Sequence, residues 1–156
     1  MTPRPAPDLS APSRALEALV QAWSRWDTEA LCRCVLGAAR ESRRMPWPAG
    51  APRWRYRVAQ VRVVELGGEV ARLWVVLHAR IAGRRTEEAF ALDPEIVTLR
   101  LLNSRWRVVP ASVASYRSQH HGSVTSLATL LANPDLWRRS PVRTRLRAPA
   151  DRGGWA

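Results

Sequence analysis

Between Arg53 and Ala111 the chain alternates apolar and polar residues with a period of two, broken at intervals by turn-forming residues, and this pattern restricts it to an antiparallel sheet. Val58 to Glu65 and Glu69 to Ile81 flank Leu66-Gly67-Gly68, a three-residue connection in which a glycine supplies the left-handed residue of a bulged turn. Pairing Glu65 with Glu69 aligns Val63 with Ala71, Val61 with Leu73 and Ala59 with Val75 on one face, and places Arg62 and Arg72 on the other. A turn at Gly83-Arg84 pairs Leu77 with Phe90 and Val75 with Leu92, while Arg80 meets Glu87 opposite. A third turn, Asp93-Pro94, removes a ladder donor and sets Phe90 beside Val97. The last, Asn103-Ser104, matches Leu101 with Trp106 and Leu99 with Val108 and leaves Arg100 and Arg107 outside. A slip of one residue at any turn would turn its strand inside out, so their agreement on a single apolar face is informative.

The flanking segments read as cover for that face. Residues 1–12 are proline-rich and expected to be disordered. Ser10 or Ser13 can cap a helix with Pro12 in its first turn, and Leu16, Leu19, Val20, Trp23 and Trp26 then recur at helical spacing. Asp27 is placed to cap a second helix from Thr28 to about Leu36, with Glu29 favourable in its first turn and Leu31, Cys34 and Val35 facing inward. Met45-Pro46-Trp47-Pro48 excludes regular helix and marks a loop leading into the first strand. Val124 to Leu131 reads as a short helix capped by Ser123 and ended by Asn133-Pro134, with Leu127, Leu130 and Leu131 on its apolar face. The expected fold is therefore α+β: amino-terminal helices on a curved antiparallel meander of four to five strands, with a short carboxy-terminal helix. Residues 13–135 are expected to form one domain, and 136–156 to be a basic, disordered tail.

The net charge is +12, and all 25 basic residues are arginine. Total exclusion of lysine beside abundant Ala, Pro, Val and Leu points to compositional bias of the source genome more than to selection for phosphate contacts. The excess is concentrated only in residues 136–156, which hold six arginines against one acid. No apolar run is long enough to span a bilayer, and Met1-Thr2-Pro3-Arg4-Pro5 lacks a signal-peptide core, so a cytoplasmic location is expected. Cys32 and Cys34, two apart on a helix, diverge; they read as small buried residues rather than a disulfide. With His120 and His121 they form the only soft-ligand set, and neither pair has chelating spacing, so no metal and no cofactor is expected.

Ala22-Trp23-Ser24-Arg25-Trp26 followed by Asp27-Thr28-Glu29-Ala30-Leu31, and the closing stretch from Glu95 to Val109, resemble the amino-terminal pattern and final hairpin of the nuclear transport factor 2-like superfamily. The resemblance covers about Leu16 to Ala111 and implies helices closing the concave side of a cone that either holds a ligand or is filled by side chains. It does not select a function, because the superfold hosts isomerases, dehydratases, hydrolases, transport adaptors and assembly domains. Members of the superfamily with ketosteroid isomerase-like or dehydratase activity place an Asp or His base and a Tyr or Asp donor inside the cone. The inner face here is almost wholly apolar, and Tyr56 and His78 fall on the opposite one. The one candidate base is Glu88, which the alternation sets beside Ala79 and Leu99, where desolvation would raise its pKa. The other reading of Glu88 is a rim position within reach of water or an arginine. Candidate pocket residues are Trp23, Trp26, Leu73, Leu77, Glu88, Phe90, Leu99 and Trp106, with Trp23, Trp26 and Trp106 equally placed to fill the cone.

Trp54 and Trp74, with Tyr56, Val58 and Val76, fall on the outer face, which should not stand bare in water. Members of the superfamily often pair through that face, so the resemblance implies a homodimer there; cover by the carboxy-terminal helix is the alternative. Three functions follow. The first is a non-catalytic dimeric interaction or assembly domain, supported by the missing acid and base set. The second is binding of a small apolar ligand, or isomerase or hydratase chemistry at Glu88. The third is nucleic-acid binding through Arg138, Arg139, Arg143, Arg145 and Arg147. On the third reading, affinity for an oligonucleotide falls steeply between low and moderate salt and vanishes on deleting residues 136–156, as fluorescence polarisation would record; tight binding that survives the deletion would defeat it.

Overall fold

The computed structural model describes residues 6–37, 53–83, 88–110, 114–115 and 126–131. Two helices, α1 (Pro12–Arg25) and α2 (Thr28–Cys34), precede strands β1 (Trp54–Leu66), β2 (Val70–Ile81), β3 (Phe90–Ala91), β4 (Glu95–Leu102), β5 (Arg105–Val108) and β6 (Ala114–Ser115), and a short helix α3 (Leu127–Leu131) follows. The sheet is antiparallel in the order β1, β2, β4, β5, with β3 added to β2 and β6 to β4. The architecture is the expected α+β cone-like one: helices against a curled antiparallel sheet, with a short helix after it. The loop expected around Met45 to Pro48, the Arg80 partner Glu87, His120, His121, Ser123, Asn133-Pro134 and the arginines of 136–156 lie outside the described residues.

Pro12 starts α1 with its φ already helical, and the N-cap is Ala11, which has no side chain to bond the first turn. Neither expected serine caps it: Ser10 turns back instead, its hydroxyl 2.6 Å from the Asp8 carboxylate. At the other end Trp26 adopts the left-handed conformation (φ 54°), and the Asp27 N–H returns to the Ala22 carbonyl at 2.8 Å. Asp27 then caps α2, as expected, accepting from the Ala30 N–H at 3.1 Å. α1 lies against β1 and β5, and buries Leu16, Leu19, Val20 and Trp23. The chain leaving α2 bridges β5 at Val35, parallel to Val108, and α2 itself buries Leu31 and Cys34.

The final hairpin keeps the expected register. Leu99 faces Val108 and Leu101 faces Trp106, with Arg100 opposite Arg107, and both turn residues, Asn103 and Ser104, take positive φ. The first hairpin does not. Neither Gly67 nor Gly68 is left-handed, the Gly67 N–H bonds the Val70 carbonyl, and the pairing is displaced so that Val63 meets Leu73 and Val61 meets Val75. Ala79 likewise meets Phe90, where Leu77 was expected to.

Two irregularities in β1, at Ala59 and at Val64, each exchange inside for outside. Because of the first, Trp54, Tyr56 and Val58 pair with Ile81, Ala79 and Leu77 on the inner face, which corrects their expected outer position. Tyr56 is buried and stacks on Trp23 with centroids 3.6 Å apart and planes at 14°. A third irregularity replaces an expected turn. β3 and β4 both pair antiparallel with β2, so Asp93-Pro94 is a kink in one edge-to-edge run rather than a reversal, and Phe90 does not lie beside Val97. Proline suits a kink for the reason it suited a turn: it has no N–H for a ladder to lose.

Deleting Ala59 should therefore cost more than about 3 kcal/mol, since it turns several large inner side chains outward. Urea denaturation with near-ultraviolet dichroism of the Trp23–Tyr56 stack checks this, and unchanged stability would contradict the assignment.

Candidate functional site

The inner face is where a cone fold would hold a ligand, and most of it is solid. Leu16, Leu19, Leu73, Val75, Leu77, Val97, Leu99 and Val108 are 0–1 % exposed. A side chain without accessible surface borders no void that admits a water molecule, so these residues pack on one another and not around a cavity. Among the expected pocket residues, Trp23 and Trp106 are buried with them. The Trp106 backbone N–H bonds the Leu9 carbonyl at 2.9 Å. Trp26 and Phe90 are partly buried against the same core, Phe90 edge-on to Trp54 at 5.7 Å.

Glu88 does not take the expected inner place. It is exposed, and Phe90 occupies the position across from Ala79. Leu99 is likewise flanked by Ala71 and Val108. Pairing Ala79 two residues further along than expected leaves Glu88 ahead of the strand. His78 sits outside, as expected; there Arg57 Nη2 lies 3.2 Å from its Nδ1. Because a guanidinium only donates, that nitrogen accepts and the imidazole proton is assigned to Nε2.

The interior does contain a carboxyl group, at Glu95. The Asp93-Pro94 kink shifts the alternation so that Glu95 points inward opposite Val75, ahead of Val97 and Leu99, and it is only 2 % exposed. Its Oε1 accepts from the Ala128 N–H at 2.9 Å and its Oε2 from the Leu127 N–H at 3.3 Å, the first amides of α3. Ser126 completes that cap, its Oγ accepting from the Thr129 N–H at 3.1 Å. Burial pushes the Glu95 carboxyl up to about 7; the two backbone donors oppose the shift and nearby Asp93 adds to it. Such a pKa suits proton transfer near neutrality, but both oxygens are engaged by α3 and almost no surface is left for a substrate. The chemistry Glu95 performs here is attachment: it joins α3 to the inner side of the sheet, where Leu127, Leu130 and Leu131 enter the core. This removes the alternative in which the last helix covers the outer face. Counting back by two from Val97 and Leu99 would have found Glu95 in the sequence.

Two buried thiols lie close together in sequence, and the one at Cys34 is held in its protonated, unreactive form. Cys32 and Cys34 are buried and form no disulfide, and burial pushes the Cys34 thiol up to about 12, with Arg107 acting in the opposite sense. Among the described residues, clefts lie elsewhere. One, of about 440 Å³, runs along the solvent side of α1 past Asp8, Arg14, Glu17 and Arg25. The second, of about 470 Å³, crosses the outer sheet face between Arg55, Arg57, His78 and Arg80.

No protein-family model and no curated protein matches this chain. Among solved structures it is similar to one described as a "putative polyketide cyclase" from Pseudomonas putida KT2440, at 14% identity and a TM-score of 0.37 over 64% of this chain and 89% of that one. A structure of the same description from Xanthomonas campestris pv. campestris aligns at 13% identity and a TM-score of 0.37 over 62% and 86%. Likeness at this level says nothing of the chemistry of this chain.

The Glu95 geometry has a pH signature. The folded state holds a proton up to about pH 7, whereas an unfolded Glu releases it near its ordinary value, so between the two the folded state binds more protons and stability falls as pH rises. Below that window both states are protonated, and above it the loss, of the order of a few kcal/mol, is complete. Urea titrations from pH 4 to pH 8 should show this decline in the native protein and its absence in Glu95→Gln; identical pH profiles would remove the assignment.

Proposed function

We propose that this chain is a non-catalytic interaction domain on a cone-like fold, with its interior serving as core rather than as a ligand site. The observation that carries this reading is the solid inner face, where six residues of β2, β4 and β5, Leu73, Val75, Leu77, Val97, Leu99 and Val108, are at most 1 % exposed. A small apolar ligand would need those side chains withdrawn, at several kcal/mol for each buried contact surface lost. Glu88 and Glu95 support the same reading from the side of chemistry: the first is exposed and the second is committed to α3. What remains for function is the surface.

A cavity engineered into the interior provides the test. Leu77→Ala should lose about 2–5 kcal/mol and acquire a benzene-dependent rise in Tm, because an apolar cavity of that kind stays dry and takes up apolar molecules. The native protein should show no rise with benzene or with a panel of larger apolar compounds. Stabilisation of the native protein by any of them would overturn the filled-core reading.

A further inference from the structure

The half of β1 furthest from the helices is exposed where the pattern calls for cover. Val63 and Leu66 pair with Leu73 and Ala71, both at 0 % exposure, yet are themselves 60% and 63% exposed, and Val64 between them is 55% exposed. Adjacent apolar side chains on one edge form a patch that a chain in water does best to cover. β1 is also a terminal strand of the sheet order. In an antiparallel ladder half of an edge strand's N–H and C=O groups point away from its neighbour, a template for another strand. Near the start of β1 that edge is occupied, since the Tyr56 N–H donates to Ser24 Oγ of α1 at 3.0 Å. Over residues 60–66, among the described residues, backbone hydrogen bonds run only to β2.

The open segment is Gln60-Val61-Arg62-Val63-Val64-Glu65-Leu66, and it is self-complementary when reversed. With a two-fold axis between Val63 and Val64, Arg62 lies across from Glu65 of the second copy and Val61 across from Leu66. In an unbroken strand such a pairing would set inner residues against outer ones. The irregularity at Val64 removes the conflict: Arg62 and Glu65 both lie on the outer face, opposite Trp74 and Arg72, and Val61 and Leu66 both lie on the inner face, opposite Val75 and Ala71. The outer face is less suited to receive a second copy. It carries Arg57, Arg100 and Arg107 from three strands, besides Arg72, which pairs with Glu65 at 3.6 Å, and two such faces brought together would oppose like charges.

We propose that two copies of this chain pair antiparallel through residues 60–66 of β1, joining their sheets edge to edge, with Arg62 of each beside Glu65 of the other and Val61, Val63, Val64 and Leu66 covered between them. This rests on the reading of the chain as an interaction domain and names its partner. The interface is isologous, so each charge contact occurs twice.

Light scattering on the eluting full-length protein reads the mass directly. The expected value is twice 17.5 kDa, and amide exchange over residues 60–66 should slow as concentration rises. Arg62→Glu sets two acids together in each half of the interface and should weaken pairing roughly tenfold or more; Arg62→Glu with Glu65→Arg should restore it, which no merely structural role for either residue would do. Ile96→Lys, on the outer face, should leave the mass unchanged. A monomer at about 0.5 mM, a charge swap that fails to restore pairing, or dissociation by Ile96→Lys in place of Arg62→Glu would each overturn the proposal. None of these results bears on whether the interior takes up benzene, so the two readings fail separately.

Discussion

Strict alternation of side chains across a strand is the constraint on which this structure depends, because nearly all of the sheet's share of the core comes from one face. Every extra residue in a ladder exchanges that face for the other. β1 contains two such exchanges and the β3–β4 run one. Ala59 brings Tyr56 under Trp23, and Asp93-Pro94 brings Glu95 under α3. These two contacts between the sheet and its covering helices therefore originate in places where the ladder is imperfect. A perfectly regular sheet of the same composition would bury a different set of residues.

Legibility in the sequence followed the range of the interactions involved. The start of α2 and the Asn103-Ser104 hairpin were readable because caps and tight turns are local: Asp27 bonds three residues ahead, and the register of β4 and β5 follows from a two-residue turn, while α1 was readable from the helical spacing of Leu16, Leu19, Val20 and Trp23. The β1–β2 register was not readable, because Gly67-Gly68 permits several turn geometries and the outcome depends on which residues of a long strand bulge. Asp93-Pro94 shows the limit of turn chemistry. A residue pair without a ladder N–H fits a reversal and a kink equally, and only pairing with β2 distinguishes them. Glu95 is hidden for a related reason: the alternation of the strand preceding the kink points to Glu88, and only the alternation running back from Val97 reaches Glu95.

The interior combines two different kinds of adhesion. Most of it is aliphatic contact, which tolerates sliding and repacking. Glu95 adds a directional attachment in which one side chain satisfies two amides of a five-residue helix too short to be stable alone. α3 thus owes its place to a polar side chain in an apolar setting, where hydrogen bonds are strong and failure to make them is costly.

One small feature, the bridge from Val35 to Val108, decides how far such a sheet can grow. With the Leu36 N–H also donating to the Val108 carbonyl at 2.8 Å, the chain leaving α2 occupies the free side of β5. A sheet unsealed on both flanks can add copies without end, as fibres do. One sealed at β5 and accessible along β1 has a single valence, and an object with one valence that matches itself stops at two.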